Sequence, residues 1–263
     1  MARPADLLER LPESLSLGKK TKFNGLLRLG AAPSATQLPA GLSLGWPEIE
    51  ACLPDSGLAR GHVVQLAALH PGALATMLAL RTCAEAQQQG RAFGTDELWC
   101  AFIDPSRSLY APGVAQAGVR LDRLLVVQPD PAALANVALR VVRAGVFAVV
   151  VIDASAGLRS DVVHSPGIWV RAVRQMALAL EGQQTGVLLI TDASNASPLP
   201  LPVAQRIELR RPSLHQLELR VAKDRWGRIT SWRRVPLSNE ANPAPNDVQK
   251  PALLAKPEAR YAT

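Results

Sequence analysis

A loop between a buried strand and a helix can cradle phosphate when its backbone N–H groups converge on the anion. A lysine then meets the β and γ phosphates, and a serine or threonine binds magnesium. Residues His62 to Leu69 read as such a strand, and Ala73 to Gln89, rich in good helix formers, as the helix. The stretch joining them is Ala68-Leu69-His70-Pro71-Gly72-Ala73-Leu74-Ala75-Thr76. Leu74 stands where the lysine would be and Ala75 where the hydroxyl would be. An aliphatic side chain cannot neutralise phosphate charge, and a methyl group offers a metal no oxygen. Pro71 also removes one backbone donor, leaving Gly72 as the glycine able to let a phosphate approach closely. Hydrolysis is not expected from this loop, and the chain reads as a binding protein without catalytic residues or a cofactor.

A second constellation is basic. From Arg206 to Arg234 nine Lys or Arg face three carboxylates, a surplus of six in a chain whose net charge is +7. Ile207, Leu209, Leu217, Leu219 and Val221 alternate there with Arg206, Glu208, Arg210, Glu218 and Arg220, the period of strands with one face in water. That alternation points Arg206, Arg210 and Arg220 to solvent together, with Arg211, Lys223, Arg225, Trp226, Arg228 and Trp232 close in sequence. Such a face could hold phosphates while its tryptophans stack on bases, without reading sequence. It could equally dock an acidic protein, or be a solvated sheet whose tryptophans close the core edge.

The other chemistry-bearing residues form no cluster. His62, His70, His164 and His215 lack the close spacing of a shared metal site. Cys52, Cys83 and Cys100 are odd in number and set in apolar stretches, as reduced core thiols are. The opening residues, Met-Ala-Arg-Pro-Ala-Asp-Leu-Leu-Glu-Arg, carry acids where a secretory signal has an apolar block, and no stretch is apolar for long enough to span a bilayer. A cytoplasmic location without membrane association is expected.

The elements that must position these residues alternate. Strands are expected at Leu98 to Asp104, Leu124 to Val127, Phe147 to Asp153 and Val187 to Thr191. Helices are expected at Pro131 to Ala144 and Ser165 to Glu181, the second with Trp169, Val173, Met176 and Leu180 on one stripe. Continuous apolar strands between helices imply a parallel sheet covered on both faces. The period-two strands, Lys223-Asp224-Arg225-Trp226-Gly227-Arg228 as a hairpin turn, and a last strand near Ile229 to Val235 add an antiparallel extension. Three parts follow. Residues 1–41 are a small helix (Ala5 to Leu11) and a linker carrying Lys19, Lys20 and Lys22. Residues 42–237 are an α/β core, and 238–263 a disordered tail.

Gly61-His-Val-Val-Gln-Leu, then Cys100-Ala-Phe-Ile-Asp-Pro, then Val149-Val-Val-Ile-Asp153, in this order and spacing, resemble the core of bacterial RecA recombinases. Leu42-Ser-Leu-Gly-Trp, Leu121-Asp-Arg-Leu-Leu-Val-Val-Gln-Pro-Asp and Val221-Ala-Lys-Asp-Arg resemble further segments of that core, over about residues 42 to 235. The resemblance implies a RecA-like P-loop fold, mainly parallel with flanking helices and a small antiparallel extension. It also places Ser106 where the family has its catalytic glutamate. Asp153 matches an acidic residue of the family, although a strand-end hydrogen-bond acceptor or helix cap is the role favoured here. The family's two DNA-binding loops would lie between Gly157 and Gly167 and between Asp192 and Pro202. Both stretches are short and poor in basic residues apart from Arg159, so filament-type strand exchange is not expected.

A RecA-like core with an altered nucleotide loop and shortened DNA loops is similar to the ImuA family, SOS-induced accessory proteins of bacterial translesion synthesis. That resemblance implies an adapter acting with an ImuB-like inactive Y-family polymerase homologue and an error-prone C-family polymerase. RecA itself, non-specific DNA and self-association through the N-terminal arm are further candidate interactions. Two alternatives stay open: an atypical NTPase that borrows its lysine from elsewhere, and a SulA-like division inhibitor that binds FtsZ.

Overall fold

The structure is a computed structural model, described here for residues 41–70, 72–92, 98–155, 166–193 and 200–237. The expected N-terminal helix, nearly all of the linker and the C-terminal tail lie outside the described residues.

The described chain opens with β1 (Gly41–Leu42), a short helix α1 (Pro47–Glu50) and β2 (Leu58–Ala59), with β1 and β2 paired antiparallel. Pro47 stands in the first turn of α1, where a proline's missing N–H leaves no helical bond unmade, so an early proline signals the start of a helix. Glu50 ties this segment together: Oε1 accepts hydrogen bonds from Ser43 Oγ (2.7 Å) and the N–H groups of Leu44 (2.6 Å) and Gly45 (3.1 Å). Gly61 then turns the chain at φ 68°, and a Cβ there would lie 2.6 Å from the Gln183 carbonyl oxygen. Conformation and close approach both require glycine at that point.

The core follows as β3 (Val63–Ala68), α2 (Ala75–Ala92), β4 (Trp99–Ile103), α3 (Ala111–Gln116), β5 (Leu124–Val127), α4 (Leu134–Ala144), β6 (Phe147–Asp153), α5 (Pro166–Ala179) and β7 (Gly186–Asp192). Then come β8 (Gln205–Ser213), β9 (Gln216–Asp224) and β10 (Arg233–Pro236). The order across the sheet is β10-β9-β8-β3-β7-β6-β4-β5. Strands β8, β3, β7, β6, β4 and β5 run parallel, whereas β9 and β10 are antiparallel additions at one edge. The expected fold is therefore present, and the near-continuous apolar strands have the physical cause assigned to them. Val64, Leu66, Val149, Val151, Leu188 and Ile190 pack on the face bearing α2, and Ile103, Val150, Ile152, Val187 and Leu189 on the face bearing α4 and α5. Trp169, Val173 and Met176 are fully buried, and Leu180, just past α5, continues their stripe. A buried aliphatic side chain of this kind contributes roughly 1.5–3 kcal/mol.

Several expectations need correction. The last strand is Arg233–Pro236 rather than Ile229 to Val235, and the expected turn over Lys223 to Arg228 opens a longer connection between the antiparallel β9 and β10. Helix α3 was not anticipated, although Ala111-Pro112 carries the same early-proline signal as Trp46-Pro47. Gly41 belongs to β1 rather than to the linker. Cys83 and Cys100, distant in sequence, are neighbours in the core: the Cys100 thiol lies 3.7 Å from the Cys83 carbonyl oxygen, and both are free. The Cys100 side chain beside it, together with burial, pushes the Cys83 thiol well above its usual range.

Candidate functional site

The carboxyl ends of β3, β4, β6 and β7 open on a cleft, where ligands of open parallel sheets bind. Its cavity measures about 630 Å³. The turn before α2 forms one wall, and the loop from β4 into α3 forms another. His70, Gly72, Leu74, Ala75 and Thr76 all line the cavity, so the residues predicted for the phosphate loop are brought together. Pro71 lies outside the described residues.

The walls are largely apolar. Ala68, Ala73, Leu80, Phe102, Val114 and Ile190 line them, with Tyr110, 70 % exposed, at the mouth. Gly72 adopts φ 84° with open space where a Cβ would be, so the backbone is accessible there. Leu74 also adopts a positive φ, 62°, which costs a non-glycine residue roughly 1–2 kcal/mol. Helix α2 begins at the next residue, and the Leu74 carbonyl accepts from the Leu78 N–H at 3.0 Å. The loop is anchored to β8, because His70 Nε2 accepts from the Arg211 N–H at 2.8 Å and the Leu69 N–H donates to the Leu209 carbonyl at 2.9 Å.

Ser106 and Asp153 do not line the cavity; Ser108 and Ser155 do. The cause is local. Fully buried Asp104 gathers its own loop, accepting from Ser106 Oγ (3.0 Å), Ser108 Oγ (3.5 Å) and the Leu109 N–H (2.8 Å). Asp153, 7 % exposed, accepts from the N–H and Oγ of Ser155 at 2.9 and 2.6 Å, the strand-end acceptor role favoured from sequence. Asp104 was missed because an aspartate after a strand has no distinctive signal, and its value lies in the turn it closes. Among the described residues no group of three or more His, Cys, Asp or Glu could hold a metal.

The basic face differs from its expectation. Strands β8, β9 and β10 do alternate, but the polar side is a ladder of ion pairs. Glu208 and Glu218 are buried. Glu208 is paired with Arg206 (3.1 Å) and Arg220 (2.7 Å), and Glu218 with Arg210 and with Arg234 (2.8 Å). Hydrogen bonds from Arg210 and then Arg234 hold the Glu218 carboxyl below its usual range against the opposing effect of burial. Arg206 has only 11 % of its side chain exposed and does not point to solvent. Trp232, one of the rings expected to stack on bases, instead carries the guanidiniums of Arg210 and Arg220 at 4.2 and 4.9 Å from its ring centre.

The turn after β9 is pinned as well. Arg228 bridges Asp224 (3.0 Å) and Asp55 (2.8 Å), which raises its pKa further, while Arg225 and Arg228 both stack on Trp226 at 4.6 Å. Trp226 remains 58 % exposed. Lys223 is an exposed residue whose Nζ donates to the Leu201 carbonyl at 3.1 Å, and Arg211 donates to the Leu214 carbonyl at 2.7 Å. Sequence showed the surplus of charge, but which cations share a carboxylate depends on strand register.

A mainly parallel sheet with a strand–loop–helix unit at its carboxyl end, helices on both faces and antiparallel strands at one edge is the RecA-like class of α/β domain. The chain belongs to the RecA N-terminal domain family, whose model matches residues 14–165. It is similar to the RecA protein of Blastochloris viridis, 36% identical over 134 residues, which are 51% of this chain and 36% of that protein. The RecA protein of Rhodospirillum centenum (strain ATCC 51521 / SW) is 34% identical over 157 residues, 59% of this chain and 41% of that protein. That of Methylobacterium sp. (strain 4-46) is 31% identical over 165 residues, 60% and 43% respectively. The chain thus spans less than half the length of these curated relatives. Among the described residues no helix is long and apolar enough to cross a membrane.

Proposed function

We propose that this RecA-family chain is a non-catalytic accessory protein of SOS-induced mutagenesis, an adapter of the ImuA kind. It would join an ImuB-like Y-family polymerase homologue and an error-prone C-family polymerase at damaged DNA. The observation that carries this reading is the cleft. Leu74 and Ala75 stand where an ammonium and a hydroxyl would meet a nucleotide, and the walls around them are apolar. Thr76, Ser108, Ser155 and Asp192 bring oxygen atoms to the wall, but no Lys or Arg is among its described lining residues, so a triphosphate meets no ammonium or guanidinium there. The serines that line the cleft, Ser108 and Ser155, donate to Asp104 and Asp153, and a hydroxyl so placed does not activate water as a carboxylate does.

Two measurements test the proposal. A pull-down with the ImuB-like protein of the same organism should retain the chain at micromolar concentration, and absence of association there counts against the adapter role. Calorimetry with ATP and magnesium should show no saturable heat. Turnover abolished by altering residues 70 to 76 would establish the atypical NTPase instead. The division-inhibitor alternative predicts slowed FtsZ polymerisation, whereas the adapter reading predicts none.

A further inference from the structure

Glu208 and Glu218 neutralise much of the ladder, so the cations available to an anion lie elsewhere. At the opposite end of the sheet from the cleft, beside the amino ends of β3 and β7, a recess of about 820 Å³ opens. The end of α5, residues 202–204 and the turn after β9 surround it. Three guanidiniums, Arg60, Arg174 and Arg225, line it with His62 against one carboxylate, Glu181. Its floor is apolar, including Val63, Leu180 and Val203.

The charges here are poorly compensated. His62 Nδ1 lies 2.6 Å from the Arg60 carbonyl oxygen, which makes Nδ1 the donor and leaves Nε2 as an acceptor for Arg225. The partner of Arg225 inside the recess is therefore a ring nitrogen and not a carboxylate. Among the described residues Arg60 reaches only the Gly41 carbonyl (3.4 Å) and Gln89 Oε1 (3.3 Å), and its buried Nε finds no hydrogen-bond partner there. Among the described residues neither Arg174 nor Arg225 forms an ion pair. Apolar surface continues onto the rim, where Leu178 is 65 % exposed.

We propose that this recess is a docking site for an acidic peptide segment of a partner protein, with one large apolar side chain on the floor and flanking carboxylates on Arg174 and Arg225. Guanidinium forks suit carboxylates, and a buried apolar anchor inside a charged rim is the usual anatomy of a peptide site. A nucleic-acid strand fits less well. Trp226, the exposed aromatic ring beside the recess, is already stacked by Arg225 and Arg228, and a strand's phosphates would leave the apolar floor unfilled. The site goes beyond the adapter reading and does not depend on it.

Fluorescence anisotropy on the full chain tests the proposal, with a fluorescein-labelled peptide Asp-Glu-Leu-Phe-Asp-Glu and a labelled oligothymidine as probes. The peptide should bind saturably in the micromolar range, and replacing its Leu-Phe by Ser-Ser should weaken it about tenfold or more. Arg174→Ser and Arg225→Ser should each weaken it by a similar factor, while Arg140→Ser, exposed on α4 and outside the recess lining, leaves it unchanged. Both recess arginines are exposed, so the variants should keep the wild-type melting temperature. No peptide binding at millimolar concentration overturns the proposal, as does binding indifferent to both recess variants. Tighter, variant-sensitive binding of oligothymidine assigns the recess to nucleic acid and overturns it too. A failed pull-down with intact peptide binding would sink the adapter role and leave the recess standing.

Discussion

Replacing Glu208 by leucine isolates the ladder's central claim, that its arginines are held by internal carboxylates. Glu208 is buried at 7 % exposure and accepts from Arg220 at 2.7 Å, while Arg206 Nη2 lies 3.1 Å away. Arg206 is the vulnerable partner. With 11 % of its side chain exposed, and Nε and Nη2 finding no hydrogen-bond acceptor among the described residues, its guanidinium relies on Glu208 for countercharge. Removing one member of a buried pair costs about 3–5 kcal/mol, because the remaining charge stays desolvated. Arg220, 41 % exposed, turns to water and adds little. Glu208→Leu should therefore lose about 3–5 kcal/mol, whereas Arg206→Met, which leaves Glu208 paired with Arg220, should lose roughly 1 kcal/mol. In the double variant the buried charge is gone, so it should be more stable than Glu208→Leu alone. A coupling of about 2 kcal/mol or more follows. Urea denaturation of all four proteins measures this cycle. A loss below about 1 kcal/mol for Glu208→Leu, or a coupling indistinguishable from zero, would refute the argument. It would also return Arg206 to the pool of cations free to meet DNA.

Glu50→Ala removes an acceptor shared by Ser43 Oγ and two backbone N–H groups, and should cost roughly 2–3 kcal/mol in chemical denaturation. Gly61→Ala should destabilise by about 2 kcal/mol or more, since it combines a left-handed backbone with a clash on the Gln183 carbonyl; a melting temperature within a degree or so of wild type would contradict this. Acid should weaken the antiparallel edge. The Glu218 carboxyl is held below its ordinary 4.5, so its contribution is complete above that value and lost as pH falls through the lowered folded one. Urea midpoints of wild type and Glu218→Gln should accordingly differ at neutral pH and converge in acid. Glu85 behaves oppositely. Burial raises its pKa, with Glu50 adding to the effect and Arg81 opposing it, so stability declines as pH rises from 4.5 through the raised value. Glu85→Gln should remove that decline.

Much of the fold was legible because the sheet is buried on both faces. Phe147–Asp153 could be bounded to the residue, since a strand covered by helices is apolar throughout and its ends are marked by the first polar or turn-forming residues, and the half-buried edge strand Leu124–Val127 was marked by the same apolar run. The stripe of Trp169, Val173, Met176 and Leu180 was equally plain, because helical period and burial coincide there. The loop from His70 to Thr76 could be placed at the cleft because a strand, a turn and a helix in succession allow few alternatives.

Tertiary structure alone decided the electrostatics. Alternation along β8 and β9 reveals which residues share a face, but not that Glu208 and Glu218 sit opposite arginines of the neighbouring strands. Register fixes those pairs, and register comes from packing many residues away. The recess at His62, Arg174 and Arg225 joins three segments far apart in the chain, and Cys83 meets Cys100 only across a helix and a strand. Local patterns are set by neighbours in sequence and can be read there; charge compensation depends on distances between segments, which exist only once the chain has closed on itself.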